Sequence, residues 1–226
     1  MKDESPAHIP SSPRMKVRRG AKRATYNRDE LLEILRAGII AHVCVNSESG
    51  PLVLPMVYGV GNNVMYLHGA LANSLLGASI DADICATVTI VDGLVFAKTP
   101  FNHSMNYRSV VVRGKARLVD NVEETLVALK LMTDHIVQTW DVTRQLTESE
   151  IRATRIVALP LDEISGKVRA DAAVNVEGDE EAPYWSGHIP IDSRFGQYVS
   201  THDVGADAPP VIECLIGSQV FDRAQR

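Results

Sequence analysis

Four short segments of this chain carry more polar chemistry than strand or turn formation requires. The densest runs from His103 to Gly114 (HSMNYRSVVVRG), where His103, Ser104, Asn106, Tyr107, Arg108 and Ser109 lead straight into an apolar strand. Arg108 offers a planar fork suited to a phosphate, and Tyr107 a flat apolar face with a hydroxyl. A plain loop needs no such density of donors. The second segment is LPMVYG, Leu54–Gly59. A proline inside a strand cannot donate to a ladder, so Pro55 marks either an edge strand or a gap in pairing that leaves neighbouring amides for a ligand. The third is MYLHGA, in which His68 ends an apolar strand and Gly69 permits close approach of a flat or anionic group. A histidine so placed serves as a proton donor or simply as a solvated strand end. The fourth is ANSLLG, where Asn73 or Ser74 caps a short helix whose first amides suit a phosphate.

Other features exclude more than they suggest. There is no GxSxG, HExxH, P-loop, or GxGxxG after a strand, which removes the usual serine hydrolases, zincins, NTPases and Rossmann dehydrogenases. The net charge of −5 argues against nucleic acid as the main partner. The basic stretch Arg14–Arg23 reads either as a contact for RNA or an anionic partner or, as is commoner for charged arms, as a solvated one. Cys44, Cys85 and Cys214 form no CxxC pair; the first two read as buried strand thiols, with no metal site and a reducing, cytoplasmic setting expected. No apolar stretch is long enough to span a bilayer. His42, within an apolar strand, reads as a core residue.

The elements that must position these segments are mostly strands. Asn27, with Glu30 reaching back, opens a helix bearing Leu31, Leu32, Ile34 and Leu35, and Gly38 stops it. IIAHVCVN, PLVLPMVYGV and VMYLHG then form a meander, followed by ICATVTIVDG, LVFAKT and SVVVRGKARLVD, with Gly114 at a bulge or barrel corner. Val122, Leu126, Leu129 and Ile136 fall on helical spacing behind an Asn121 cap, and Thr147–Glu150 is a capping box. RIVALPLDEISGKVR closes the set. The expected fold is mainly β, a closed barrel with peripheral helices. It divides into a basic, partly disordered arm over 1–24, a barrel domain over 25–195 and a polar tail over 196–226.

Arg18-Arg19-Gly20, Tyr26, the LRAG of 35–38, LPMVYG, Tyr66-Leu67-His68-Gly69, Asp92-Gly93-Leu94-Val95 and above all HSMNYRSV resemble the pyridoxamine 5′-phosphate oxidase-like, FMN-binding split-barrel superfamily, in its nitroimidazole-resistance (Nim-type) branch. The resemblance covers about 14–190 and implies a six-stranded split barrel, a homodimer, and FMN at the dimer interface. It places Pro55, Met56, Val57 and Tyr58 along the flavin, and Tyr66, Leu67, His68 and Gly69 near its ring and ribityl chain. Ser74 and Leu75 occupy the helix start where relatives bind phosphate. Relatives keep a cation there, whereas this chain has Leu75 and Leu76, so the charge falls to Arg108. The resemblance also implies that Tyr107 and Ser109 contact the flavin and that Lys167, Arg169 and Trp185 reach it from the other subunit. The basic C-terminal signature of the vitamin B6 oxidase is absent, so pyridoxine-phosphate oxidation is not expected.

Three functions compete. In the first, the chain is an FMN-dependent oxidoreductase that takes electrons from NAD(P)H and reduces a nitroaromatic or quinone, with His68 as proton donor. In the second it binds flavin without turnover. In the third it handles haem on the same scaffold, through His68 or His103. FAD and deazaflavin stand behind FMN as alternative cofactors.

Overall fold

The computed structural model describes residues 9–201 and 207–222, and the first eight residues of the expected arm lie outside them. In chain order the elements are β1 (Ala24–Thr25), α1 (Arg28–Ala37), β2 (Ile40–Ser47), β3 (Gly50–Val60), β4 (Val64–Ala70), α2 (Ser74–Ser79), β5 (Asp83–Phe96), β6 (Ser104–Lys115), β7 (Arg117–Leu118), α3 (Val122–Ile136), α4 (Glu148–Arg152), β8 (Thr154–Pro160), β9 (Glu163–Arg169), β10 (Gly187–Pro190) and α5 (Pro210–Glu213). The strands make one curled antiparallel sheet in the order β1-β9-β6-β5-β2-β3-β4-β8-β7, with β10 added to the far end of β5. Ten strands therefore pair, where six were expected. Two of them, β1 and β7, are two residues long, too short to leave a period in the sequence.

The sheet is sided. Along β2, Ala41, Val43 and Val45 are buried while Ile40, His42 and Asn46 are exposed. Along β5, Ile84, Ala86, Val88 and Ile90 point inward. Leu31, Leu35, Tyr58, Leu67, Leu75, Leu76, Val110 and Val157 complete this inner core. His42 is thus a surface residue and not a core one, and Cys44 and Cys85, directly opposite each other, are only half-buried. ICATVTIVDG and LVFAKT are a single strand. Its register slips between Val91 and Gly93, so the bulge falls there and not at Gly114, which pairs in register with Ile84. Gly93 has no Cβ to collide with the Ile189 carbonyl, which would lie 2.8 Å away.

The caps follow the sequence with one change. Asn27 Oδ1 accepts from the amides of Asp29 and Glu30, but the Glu30 carboxylate is met by the Thr25 hydroxyl. Thr25 Oγ1 in turn accepts from the Asn27 amide at 3.3 Å. Asn73, Asn121 and Thr147 cap α2, α3 and α4, the last with a full capping box. The stripe expected on α3 is turned. The helix buries Thr125, Ala128, Met132 and His135, whereas Val122, Leu126 and Ile136 face outward. Gly59 permits this seat, since a Cβ there would fall 2.8 Å from the Met132 backbone nitrogen.

The arm is anchored along β9. Met15 is buried, Arg14 pairs with Asp83 and Glu163, and Ser11 bonds both backbone groups of Ile164. At the other end, VIECLIG turns into α5, Leu215 is buried, and Gln219 bridges to Arg194.

Candidate functional site

The barrel is split between β3 and β4. Their ladder holds only from Tyr58↔Leu67 to Val60↔Met65, so Gly50–Val57 pairs with β2 alone and His68–Ala70 with β8 alone. Pro55 therefore lies on the part of β3 that pairs with β2 but has no β4 partner. The lips of the split are the PMV of β3 and the HGA of β4. The short helix α2 caps its inner side, burying Leu75 and Leu76 in the core.

Strand alternation sorts the predicted residues by face. On the outer face, in one row across the sheet, stand Val57 opposite Ile40, and Thr89, Ser109 and Lys167 opposite one another in turn. Pro55 and Tyr107 flank this row, and His68 follows Leu67, the last β4 residue paired with β3, on the far lip of the split. Beyond the bulge the same face carries Leu94, Met105 and Ile189 in register, exposed at 41%, 45% and 50%. Phe96 follows, with Trp185 at 6.0 Å and His103 at 5.3 Å between ring centroids. Gly187 is glycine for this reason, because a Cβ there would meet the Trp185 ring at 2.6 Å. No element of the described chain covers the stretch of this face from Ile40 to Thr89.

Other predicted residues point elsewhere. Met56 and Tyr58 are buried on the inner face, Tyr58 donating its hydroxyl hydrogen to the Leu35 carbonyl. Leu67 and Leu75 are fully buried, so all four side chains pack into the core. Tyr66 turns to α3 and donates to Glu124 at 2.9 Å. Burial first, and then that bond, push its phenol up to about 12. Gly69 packs on Asn73 and Leu76, and Ser74 is exposed at the start of α2.

Arg108 is the largest departure from expectation. It alternates to the opposite face from Tyr107 and Ser109, and its guanidinium is held by both carboxylate oxygens of Asp92, the residue skipped at the bulge. There it lines a separate cavity with Glu33, Arg36 and Phe221. Arg169 does lie on the face of Lys167, but it is buried, bonding Asn106 and the carbonyls of Asp171 and Ala172.

Sequence reading missed Thr87 and Thr89 on the outer face, Thr89 within the row and Thr87 opposite His42; their signal was the polar-apolar alternation in ATVTIV. It named Lys167 but not the cations that join it. Arg19, Lys22, Arg23 and Lys167 surround an open cavity of about 580 Å³ beside the end of the row, with Asp171 the one carboxylate in its lining.

His68 is exposed at the lip of the split, yet the surrounding protein desolvates it and lowers its pKa from the ordinary 6.5. Desolvation thus favours the neutral imidazole, which can accept a proton or ligate through a ring nitrogen. His103 instead holds Nε2 against the Ala97 carbonyl at 3.2 Å. Among the described residues no cluster of three or more His, Cys, Asp or Glu is arranged to hold a metal ion, and no helix is long and apolar enough to cross a membrane.

The family model described as pyridoxamine 5′-phosphate oxidase matches residues 27–168. Among solved structures the chain is similar to the flavocytochrome Anf3 from Azotobacter vinelandii, with 30% identity, a TM-score of 0.86, and coverage of 92% of this chain and 99% of that one. It is similar in fold to the FAD and haem binding protein from Mycobacterium smegmatis, at 24% identity, TM-score 0.82 and coverage of 88% and 98%. A 5-nitroimidazole antibiotic resistance protein from Bacteroides thetaiotaomicron shares the fold at 23% identity, TM-score 0.55 and coverage of 64% and 86%. No curated protein matches the sequence.

Proposed function

Since the chain belongs to the pyridoxamine 5′-phosphate oxidase family, we propose that it is a flavin-nucleotide-binding redox protein whose cofactor lies on the uncovered sheet face, in a site completed by a second copy of the chain. The observation that carries this reading is the row Val57, Thr89, Ser109 and Lys167, which offers apolar surface, two hydroxyls and a cation in sequence on one open face. A flat ring with a polar, phosphorylated tail suits that order. The exposed apolar run Ile189, Leu94 and Met105 continues the same face and supports a second copy lying over it. Three thiols without a disulfide suit a reducing cytoplasm.

When bound, the flavin would supply hydride and electron transfer between NAD(P)H and a small acceptor such as a nitroaromatic or quinone. The chain's own contribution is to bind and orient. The β3 lip offers a shelf without a partner on its β4 side, the threonine and serine hydroxyls offer hydrogen bonds, and His68 offers an imidazole whose cation is disfavoured at the shelf's edge. FMN is the nucleotide implied by the sequence resemblance, while FAD is named for the Mycobacterium smegmatis relative.

The test is the visible spectrum of the purified protein, with mass spectrometry of what it releases on denaturation. Flavin bands and released FMN or FAD are expected. A colourless protein that takes up neither nucleotide would remove this function.

A second reading, in which haem is bound beside the flavin, is favoured by His68. Its exposed ring has no hydrogen-bond partner among the described residues and desolvation disfavours its cation, which leaves a ring nitrogen open to ligate iron. The flavocytochrome relative at 30% identity agrees with it. A Soret band that His68→Ala abolishes, with the flavin bands retained, is the expected result.

A further inference from the structure

We propose that Arg19, Lys22 and Lys167 form the phosphate-binding site of the nucleotide, taking the phosphate of FMN or the diphosphate of FAD; this rests on the flavin reading above.

The chain carries a net charge of −5, yet its cations crowd here. Arg19, Lys22, Arg23 and Lys167 line one cavity against the single carboxylate of Asp171, which stands 3.9 Å from Arg23. Six arginines elsewhere, Arg14, Arg108, Arg117, Arg144, Arg152 and Arg194, each hold a carboxylate. Among the described residues the side chains of Arg19, Lys22 and Lys167 hold none. Like charges gathered without counter-charge repel, and an anion between them removes the repulsion.

The cluster is built rather than loose. Gly20, at φ +69°, turns the arm into the single helical turn Ala21–Arg23 and brings it over Lys167; a Cβ on Gly20 would lie 3.4 Å from Lys167 Nζ. The Tyr26 hydroxyl accepts from the Val17 amide at 2.8 Å, and buried Met15 pins the strand of arm before it. On the other side, buried Arg169 fixes the Asp171 and Ala172 carbonyls at 3.2 and 3.1 Å. Lys167 is also the last polar member of the outer-face row, with only Ala24 of β1 beyond it. A nucleotide lying along that row brings its phosphate end to this cavity, whereas Arg108 is on the other face and neutralised by Asp92.

The experiment titrates full-length apoprotein with FMN, FAD and riboflavin, following flavin fluorescence, for wild type and the R19A/K22A double variant. Both residues are exposed, and matching melting curves will show that the variant folds. The expected result is a tenfold or greater loss of affinity for the phosphorylated flavin, riboflavin binding within twofold of wild type, and a shallower salt dependence. K167Q should repeat the pattern. Unchanged FMN and FAD affinities would overturn the assignment, and so would a variant that weakens only NADPH binding. Wild-type protein that binds none of the three flavins would instead defeat the flavin reading. Calorimetry with inorganic pyrophosphate then tests the cavity alone: binding that R19A/K22A abolishes retains an anion site, and no binding removes it.

Discussion

Asp92 holds Arg108 through both carboxylate oxygens, with Nη2–Oδ1 at 2.7 Å and Nε–Oδ2 at 3.0 Å, on the face of β6 opposite Ser109. The pair exists because the bulge at Val91–Gly93 leaves Asp92 outside the ladder and free to turn inward. Both side chains are about one-third exposed, so Arg108→Ala should cost roughly 0.5–1 kcal/mol in urea unfolding. Flavin affinity should stay within twofold. A tenfold loss of FMN or FAD binding would return the phosphate to Arg108.

Gly59 marks where α3 lies against β3. Gly59→Ala must push the Met132 backbone away, because the new Cβ would sit 2.8 Å from its nitrogen. A loss of about 2 kcal/mol is expected, read by denaturant unfolding. Wild-type stability in this variant would show that the helix stands farther off.

Glu163 ties the arm to the sheet. Its carboxyl is held at about 2, first by the Arg14 guanidinium and then by the Ser12 hydroxyl. A carboxylate whose folded pKa is depressed contributes its full stability above the unfolded value, near 4.3, and loses it as pH falls toward 2. Glu163→Gln should therefore be less stable than wild type at pH 7, with the two converging at about pH 2. A gap that persists below that pH would contradict the ion pair.

The lowered pKa of His68 has the opposite chemical origin, since desolvation disfavours its cation. Between its folded value and the ordinary 6.5, the unfolded chain binds more protons. Stability should hence be greatest above 6.5 and decline as pH drops through that window, and His68→Asn should flatten the decline. An NMR titration of the ring with a midpoint at or above 6.5 would be inconsistent with this burial.

The expected dimer can be tested on the outer face. Leu94 and Ile189 are exposed and in register, so L94K/I189K should yield monomer by light scattering with an unchanged circular-dichroism spectrum. A double variant that stays dimeric would place the partner copy elsewhere.

Much of this protein was legible in its residues. Period-two alternation gave the strands, Asn27, Asn121 and Thr147 gave the helix starts, and Pro55 gave the place where β3 loses its partner. These are local signals, written within a few residues of the feature they specify. Others needed the assembled sheet. Tyr107, Arg108 and Ser109 read as one polar cluster, but a strand sends neighbours to opposite faces, and a bulge sixteen residues earlier supplied Arg108 with its carboxylate. Val122, Leu126 and Ile136 keep helical spacing as well as the buried set does, and only the close seat at Gly59 decides which stripe is covered. Arg19 and Lys167 are 148 positions apart by number, so nothing in the sequence joins the arm's charge to the end of β9. The sequence determined the strands, the caps and the family; the tertiary structure decided which side chains share a face, because register and curl depend on pairings between distant segments.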